Sequence, residues 1–202
     1  MARRTKEEAA QTKSDLLDAA MELFCRNGYS RTSLAEIATA AGVTRGAVYW
    51  HFSNKADIFS LLVDRAFRPI DDIVDDILMK DISPGEKLSS ILHSVLSCAC
   101  EDMGVLKGVE LVYMRTDWPE DLRPLLQDCS KHTSQCVEMF SSLIREAQLS
   151  GEFKADIDPE TTAYLLNCLM VGVLHKAVMY TEVRYESLPD VSIKVLLEGL
   201  KK

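Results

Sequence analysis

The sequence predicts an all-α fold, on three observations. Apolar residues recur every three to four positions along most of the 202 residues, no segment alternates convincingly as a strand, and glycine and proline together fill only 15 positions. Hydrophobic residues make up 47% and charged residues 27%, which excludes disorder, collagen-like repeats and low complexity. At roughly 100 to 200 residues per domain, the length suits one domain or two small ones sharing a core.

The elements follow in order. Leu16, Leu17, Ala20, Leu23 and Phe24 share one helical face, and Gly28 is the stop expected just past a helix end. Ser33-Leu34-Ala35-Glu36 is a capping box, in which the serine hydroxyl and the glutamate carboxylate each satisfy an orphan backbone N–H, so a second helix runs from Leu34 to about Ala41. Gly42 relieves the steric cost of a tight turn, Val43 can plug the angle between helices, and Thr44 can cap a short third helix through Trp50. Two short helices joined by a glycine turn make a helix-turn-helix. Ser53 or Asn54 then caps a long fourth helix whose apolar stripe includes Ile58, Phe59, Leu62, Val63, Ala66, Ile70, Ile73, Val74 and Ile77. Pro69 removes a helical hydrogen bond and clashes with the preceding turn, which predicts a kink near residues 65 to 69 or a break there.

After Ser83-Pro84-Gly85, helical patterns cover about 85 to 101, 105 to 116, 120 to 149, 159 to 181 and 188 to 200. In the third of these, Leu122, Leu126, Cys129, Thr133, Cys136, Phe140, Ile144 and Ala147 form a core-facing seam. From Tyr164 to Val178 the helix is apolar on nearly every face and must be buried on all sides, most simply against a second copy of itself in a two-fold dimer.

Net charge is −8, yet residues 1 to 68 carry 10 Lys and Arg against 8 Asp and Glu, so overall acidity hides a basic N-terminal segment. MARRTKEEAAQTK has no apolar stretch behind it, and export is not expected. Asn167, His175 and Lys176 interrupt the most apolar stretch, which falls short of the roughly 20 clean apolar residues of a membrane span. A cytoplasmic location with no membrane partner follows as the expectation. In that setting Cys25, Cys98, Cys100, Cys129, Cys136 and Cys168 are expected as reduced thiols.

Residues 33 to 59, SLAEIATAAGVTRGAVYWHFSNKADIF, resemble the DNA-binding motif of the TetR family of bacterial transcriptional regulators. The likeness extends over about residues 3 to 60, and MARRTKEEA with VTRGAVYWHF is similar to the AcrR branch of efflux-pump repressors. Beyond residue 60 only general architecture matches. The resemblance implies a helix-turn-helix DNA-binding domain at residues 1–55, joined by the long fourth helix to a helical ligand-binding and dimerisation domain at 56–202. It also places Tyr49 and Lys55 on phosphates and implies a palindromic double-stranded operator, a homodimer and a small-molecule inducer.

Elementary chemistry agrees at these positions. A recognition helix meets base edges with its N-terminal residues, here Thr44, Arg45 and Gly46. The planar fork of Arg45 suits the O6/N7 edge of guanine, Gly46 lets the backbone approach, and Thr44 can meet a phosphate or a thymine methyl. Tyr49 and His51 can donate to phosphate oxygens, which position the protein without reading sequence. The second helix's N-terminus, at Thr32 and Ser33, offers unpaired N–H groups to another phosphate. Taken singly, Tyr49, Trp50 and Phe52 read equally as core aromatics; Phe52 is assigned to the core, Tyr49 and Trp50 to the DNA-binding face. Arg3, Arg4 and Lys6 read either as a tail or as a minor-groove arm.

For the inducer, Phe67, Met103, Tyr113, Met114, Trp118, Met139, Phe140 and Met170 are the aromatic and sulfur side chains that can line a pocket, against the alternative that they fill the core. Arg115 and His175, in apolar patterns, are either hydrogen-bonded core groups or groups that orient a ligand. Cys129, His132 and Cys136 share one side of a helix, but the two cysteines fall on the apolar seam, so no metal site is assigned. No phosphate-binding glycine loop, nucleophile elbow or acid/base carboxylate pair is present, so the chain is expected to be neither an enzyme nor dependent on a cofactor. The rivals kept open are a redox- or metal-responsive regulator with the same DNA-binding half, and a helical enzyme or carrier.

Overall fold

A computed structural model describes residues 6–179 and 188–201. The described residues form the helices α1 (Lys6–Asn27), α2 (Leu34–Ala40), α3 (Arg45–His51), α4 (Lys55–Leu78), α5 (Pro84–Glu101), α6 (Met103–Met114), α7 (Arg123–Leu149), α8 (Pro159–Met179) and α9 (Leu188–Leu200). Among them no β-strand occurs beyond an isolated bridge between Phe153 and Lys201, so the fold is all-α. The proposed arm residues Arg3 and Arg4, and the last two residues of the predicted 159–181 helix, lie outside the described residues.

The described residues fall into two compact units, one containing residues up to Ala66 with Lys107–Leu126, the other Phe67–Leu106 with residues from Gln127 onward. In the first, Gly28 takes φ +85 just past α1 and Gly42 takes φ +66 in the α2–α3 turn, left-handed conformations that a side chain would oppose. Ser33 and Glu36 form the full capping box of α2, and the Thr44 hydroxyl accepts from the Ala47 N–H to cap α3. Asn54 Oδ1 accepts the Asp57 N–H while the Ser53 N–H donates to the Asp57 carboxylate, so both candidate cap residues take part at the start of α4. Leu16, Ala20 and Phe24 of α1, Ile37 of α2, Val48 of α3, and Ile58, Phe59 and Leu62 of α4 are buried together with Tyr29 and Phe52. Three rings bind this core: Tyr29 meets Phe59 edge-on at 5.2 Å between centroids, and Phe24 lies 5.4 Å from Tyr29 and 5.8 Å from Phe59. Such pairs add about 0.5–1.5 kcal/mol each beyond their buried area.

In the second unit, Ile77, Leu88, Ile91, Leu92, Val95, Phe140, Leu143, Ile144, Ala147, Phe153, Ala163, Leu166, Ile193, Leu197 and Leu200 form one core. A second capping box, Ser83 with Glu86, opens α5 with Pro84 in its first turn.

The structure narrows one expectation and corrects another. Of the kink or break expected at Pro69, the break does not occur, for α4 runs from Lys55 to Leu78 with the proline inside it. The stripe explains why: Leu62 and Ala66 before the proline are buried, and Ile70, Ile73 and Val74 after it pack on the second core. The 120 to 149 pattern is also not one helix, since Glu120–Leu122 is a 3-10 turn and α7 begins at Arg123. Its seam is covered only in part: Phe140, Ile144 and Ala147 are buried, Cys129 and Cys136 half-buried, Leu126 and Thr133 exposed. Apolar spacing defines a face but does not supply the element that covers it.

Helix α8 is covered by its own chain on one side only. Only Ala163, Leu166 and Leu174 are buried within the chain, and Tyr164, Leu165, Leu169 and Met179 are exposed, as are Val191 and Val195 on α9. By length and composition alone α8 is apolar enough to cross a membrane, but its inner face belongs to a helical core that includes α5 and α9.

Candidate nucleic-acid interface

Helix α3 has two faces set by its seven residues. Val48 and, just past the end, Phe52 lie four apart and are buried, fixing the helix to its unit. Thr44, Arg45, Gly46, Tyr49 and Trp50 are exposed, with Trp50 at 73%. Trp50 thus stands mostly in solvent, its ring meeting only that of its neighbour His51 among the described ring contacts.

Arg45 and Tyr49, also four apart, form a pair: the guanidinium Nη2 donates to the tyrosine hydroxyl at 3.2 Å and its carbon lies 5.6 Å from the ring centroid. This pairing narrows the rotamers of Arg45 at the solvent edge of α3. His51 stands edge-on to the Trp50 ring at 4.5 Å. At Gly46 the nearest atom to an added Cβ would be the Thr44 hydroxyl at 3.9 Å, so internal packing does not demand the glycine.

The start of α2 differs from expectation. The Thr32 N–H donates to Tyr29 O at 3.1 Å and the Ser33 N–H to Glu36 Oε2 at 2.8 Å, so neither is unpaired. Thr32 is itself buried, its hydroxyl donating to Gly28 O at 2.9 Å. Lys55, expected to reach out from α4, instead donates from Nζ to Tyr29 O at 2.9 Å and to Thr32 O at 3.0 Å, and lies 4.1 Å from the Tyr29 ring centroid. Burial pushes its ammonium below the usual lysine value. An ammonium has three protons, and these two carbonyls use two of them.

Sequence reasoning missed the residues that tie this turn to the stretch before α7. Tyr29 donates from its hydroxyl to Asp121 Oδ2 at 2.5 Å, its N–H reaches Arg115 O at 3.3 Å, and Ser30 donates to the Asp117 carboxylate at 2.7 Å. Burial, and then the Asp121 carboxylate, raise the Tyr29 phenol above its ordinary range, so it stays the donor. Partners some 90 residues apart leave no local signal.

The ten proposed ligand residues are divided between the units. Tyr113, Met114, Arg115 and Trp118 belong to the first; Arg115 is paired to Glu110 at 2.8 Å, and Trp118, held at φ +48, packs edge-on against Phe59. In the second, Phe140 is buried core, Met139 and Met170 lean on that core, Phe67 is half-buried, and His175 is exposed on α8. Met103 lines an open groove of about 740 Å³ with His93, Ser94, Ser97, Cys98, Glu101 and Asp102. Among the described residues no group of three His, Cys, Asp or Glu side chains is placed to hold a metal ion.

Comparison with known proteins places this geometry. Residues 16–62 match the model for bacterial regulatory proteins of the tetR family. The HTH-type transcriptional regulator AcrR of Shigella flexneri is 32% identical over 181 residues, which are 86% of this chain and 81% of that protein. The crystal structure of NalD, the secondary repressor of the MexAB-OprM multidrug efflux pump in Pseudomonas aeruginosa, matches with a TM-score of 0.81 at 26% identity, over 98% of this chain and 99% of NalD. A SmeT–triclosan complex matches with a TM-score of 0.79 at 27% identity, over 95% and 92% of the two chains; SmeT is the repressor of the Stenotrophomonas maltophilia multidrug efflux pump SmeDEF. With its helix-turn-helix and a relative this similar along most of its length, the chain belongs to the TetR family of bacterial transcriptional regulators.

Proposed function

We propose that this regulator is a repressor that binds a palindromic operator as a homodimer, lets go when a small lipophilic inducer binds, and controls a multidrug efflux operon in the cytoplasm. The observation that carries the reading is the outer face of α3, where Arg45, Tyr49 and Trp50 stand in solvent over buried Val48 and Phe52. Arg45 reads a guanine edge, and Tyr49, His51 and the remaining proton of Lys55 hold phosphates. Residues 1–55 bind DNA, and residues 56–202 bind the inducer and dimerise. The exposed apolar side chains of α8 and α9 support the dimer, because a two-fold axis along them covers both copies at once. The efflux operon and the lipophilic inducer rest on the relatives, two of which are named for multidrug efflux pumps and one of which was solved with triclosan. The inducer acts by favouring a spacing of the two recognition helices that fits the half-sites poorly. It performs no turnover.

Footprinting on the DNA upstream of its own and the adjacent operon is the test, with triclosan as the first inducer probe. A two-fold symmetric footprint whose half-sites lie about one helical turn apart is expected, lost as triclosan is added. A folded monomer with no specific duplex binding overturns the reading.

A further inference from the structure

Away from the α3 face, three side chains meet where α7 passes α4 within the second unit. His132 and Cys136 are one helical turn apart, with the cysteine Sγ 3.7 Å from His132 Nδ1. On the far side of the ring, His132 Nε2 lies 3.3 Å from Asp71 Oδ1. An ionised carboxylate only accepts hydrogen bonds, so Nε2 carries a proton, and Nδ1 is left facing the sulfur as the atom that takes the thiol proton. Nucleophile, base and orienting carboxylate thus stand in sequence.

We propose that Cys136 is a nucleophilic thiolate, paired with the His132 imidazolium and held by Asp71, that is modified by soft electrophiles of the α,β-unsaturated carbonyl class. In the addition, a sulfur lone pair forms the C–S bond at the β-carbon, and the C=C pair moves through the carbonyl to give an enolate. The Nδ1–H of His132 then delivers to that enolate the proton the thiol gave up. Thiol and enone become one thioether; nothing leaves, and nothing is oxidised or reduced.

Electrostatics support the geometry. The hydrogen bond to the Cys136 sulfur, with smaller help from the Cys136 and Asp71 charges, lifts the His132 imidazole to about 9 against the cost of burial. Two of the other thiols are held back by their surroundings. Burial, then Glu110, push the Cys25 thiol up to about 12, and burial beside Asp102 and Glu101 raises that of Cys98. A disulfide with Cys129 is out of reach, because that residue is seven positions away on the same helix, about 10 Å along its axis.

The test uses the full chain with N-ethylmaleimide below stoichiometry, following the Cys136 peptide by mass spectrometry, and the far-ultraviolet thiolate absorbance. A free thiol is only about 3% ionised at pH 7, and an ionised thiolate of lower basicity recovers part of the difference as rate, so His132→Asn should slow Cys136 addition about tenfold. Asp71→Asn, acting through the ring, should slow it less. Thiolate absorbance at pH 7 should be present in the wild type and absent from both Cys136→Ser and His132→Asn. Equal absorbance in wild type and Cys136→Ser, or equal rates in wild type and His132→Asn, overturns the proposal. The first comparison leaves the histidine untouched, and the second is read only on variant protein whose helical circular dichroism matches the wild type.

Discussion

Lys55 holds two carbonyl oxygens of the turn before α2 and has one proton to spare. Its loss should therefore appear twice. Lys55→Ala takes the side-chain donor from Thr32 O and leaves Tyr29 O with the Thr32 N–H alone, and a urea titration should show a loss of about 1–3 kcal/mol. Binding to all DNA sequences should weaken alike, with a shallower dependence on salt. Arg45→Ala, a surface change, should keep its denaturation midpoint, lose about 1–3 kcal/mol of discrimination at one base pair per half-site and leave other positions alone. A measurement of stability and operator affinity on both variants checks the pair; a destabilised Arg45→Ala or an unaffected Lys55→Ala reverses the roles. Which site residues were legible follows from their separation. Arg45, Tyr49 and Trp50 lie on a short helix whose caps and turn glycine are local, and the His132–Cys136 spacing could likewise be read off one helix. Lys55 was visible as the residue opening α4, but not as the partner of Tyr29 O and Thr32 O, and neither Asp71 beside His132 nor Asp121 beside Tyr29 has any local signature.

Boundaries of elements follow the same rule. Helices α2 and α3 end within one residue of expectation because Ser33, Glu36, Gly42 and Thr44 decide them on the spot. The start of α7 differs from expectation because Glu120–Leu122 takes a 3-10 turn that apolar spacing does not distinguish from an α-helix. The capping box of α2 also has a pH signature. The Ser33 hydroxyl first, then its N–H, hold the Glu36 carboxyl below its ordinary value. A carboxyl whose value falls on folding contributes stability that is present above the unfolded value, about 4.3, and is lost as pH falls through the folded one. Glu36→Gln should thus lower the thermal midpoint at pH 7, with the difference from wild type closing as pH falls below the unfolded value. A gap that stays constant across that range would show that the charge is irrelevant.

For the whole molecule, the open face of α8 and α9 is what a single sequence under-determines. Apolarity on nearly every side of α8 predicted complete burial, and the single chain supplies one side of it. Leu165 and Leu169 are both exposed and four residues apart, so a charge there leaves the chain's own core intact. Leu169→Glu should yield a folded monomer in sedimentation velocity and lose operator binding, while the wild type's melting temperature should rise with protein concentration. A dimeric Leu169→Glu protein would move the interface elsewhere.

The hydrogen bonds of Tyr29 and Ser30 to Asp121 and Asp117 also bear on how this regulator can be re-engineered. Grafting a foreign operator specificity onto it, or its own onto another scaffold, invites a cut in α4 near residue 62, where the match to the family's DNA-binding model ends. Such a graft would strand a buried tyrosine and part it from the carbonyl of Arg115 that its N–H uses. The exchangeable cassette is discontinuous: residues 6–66 must travel with Lys107–Leu126. A chimera that carries both pieces should melt as one cooperative unit and keep its donor's operator, and one that carries the first alone should not.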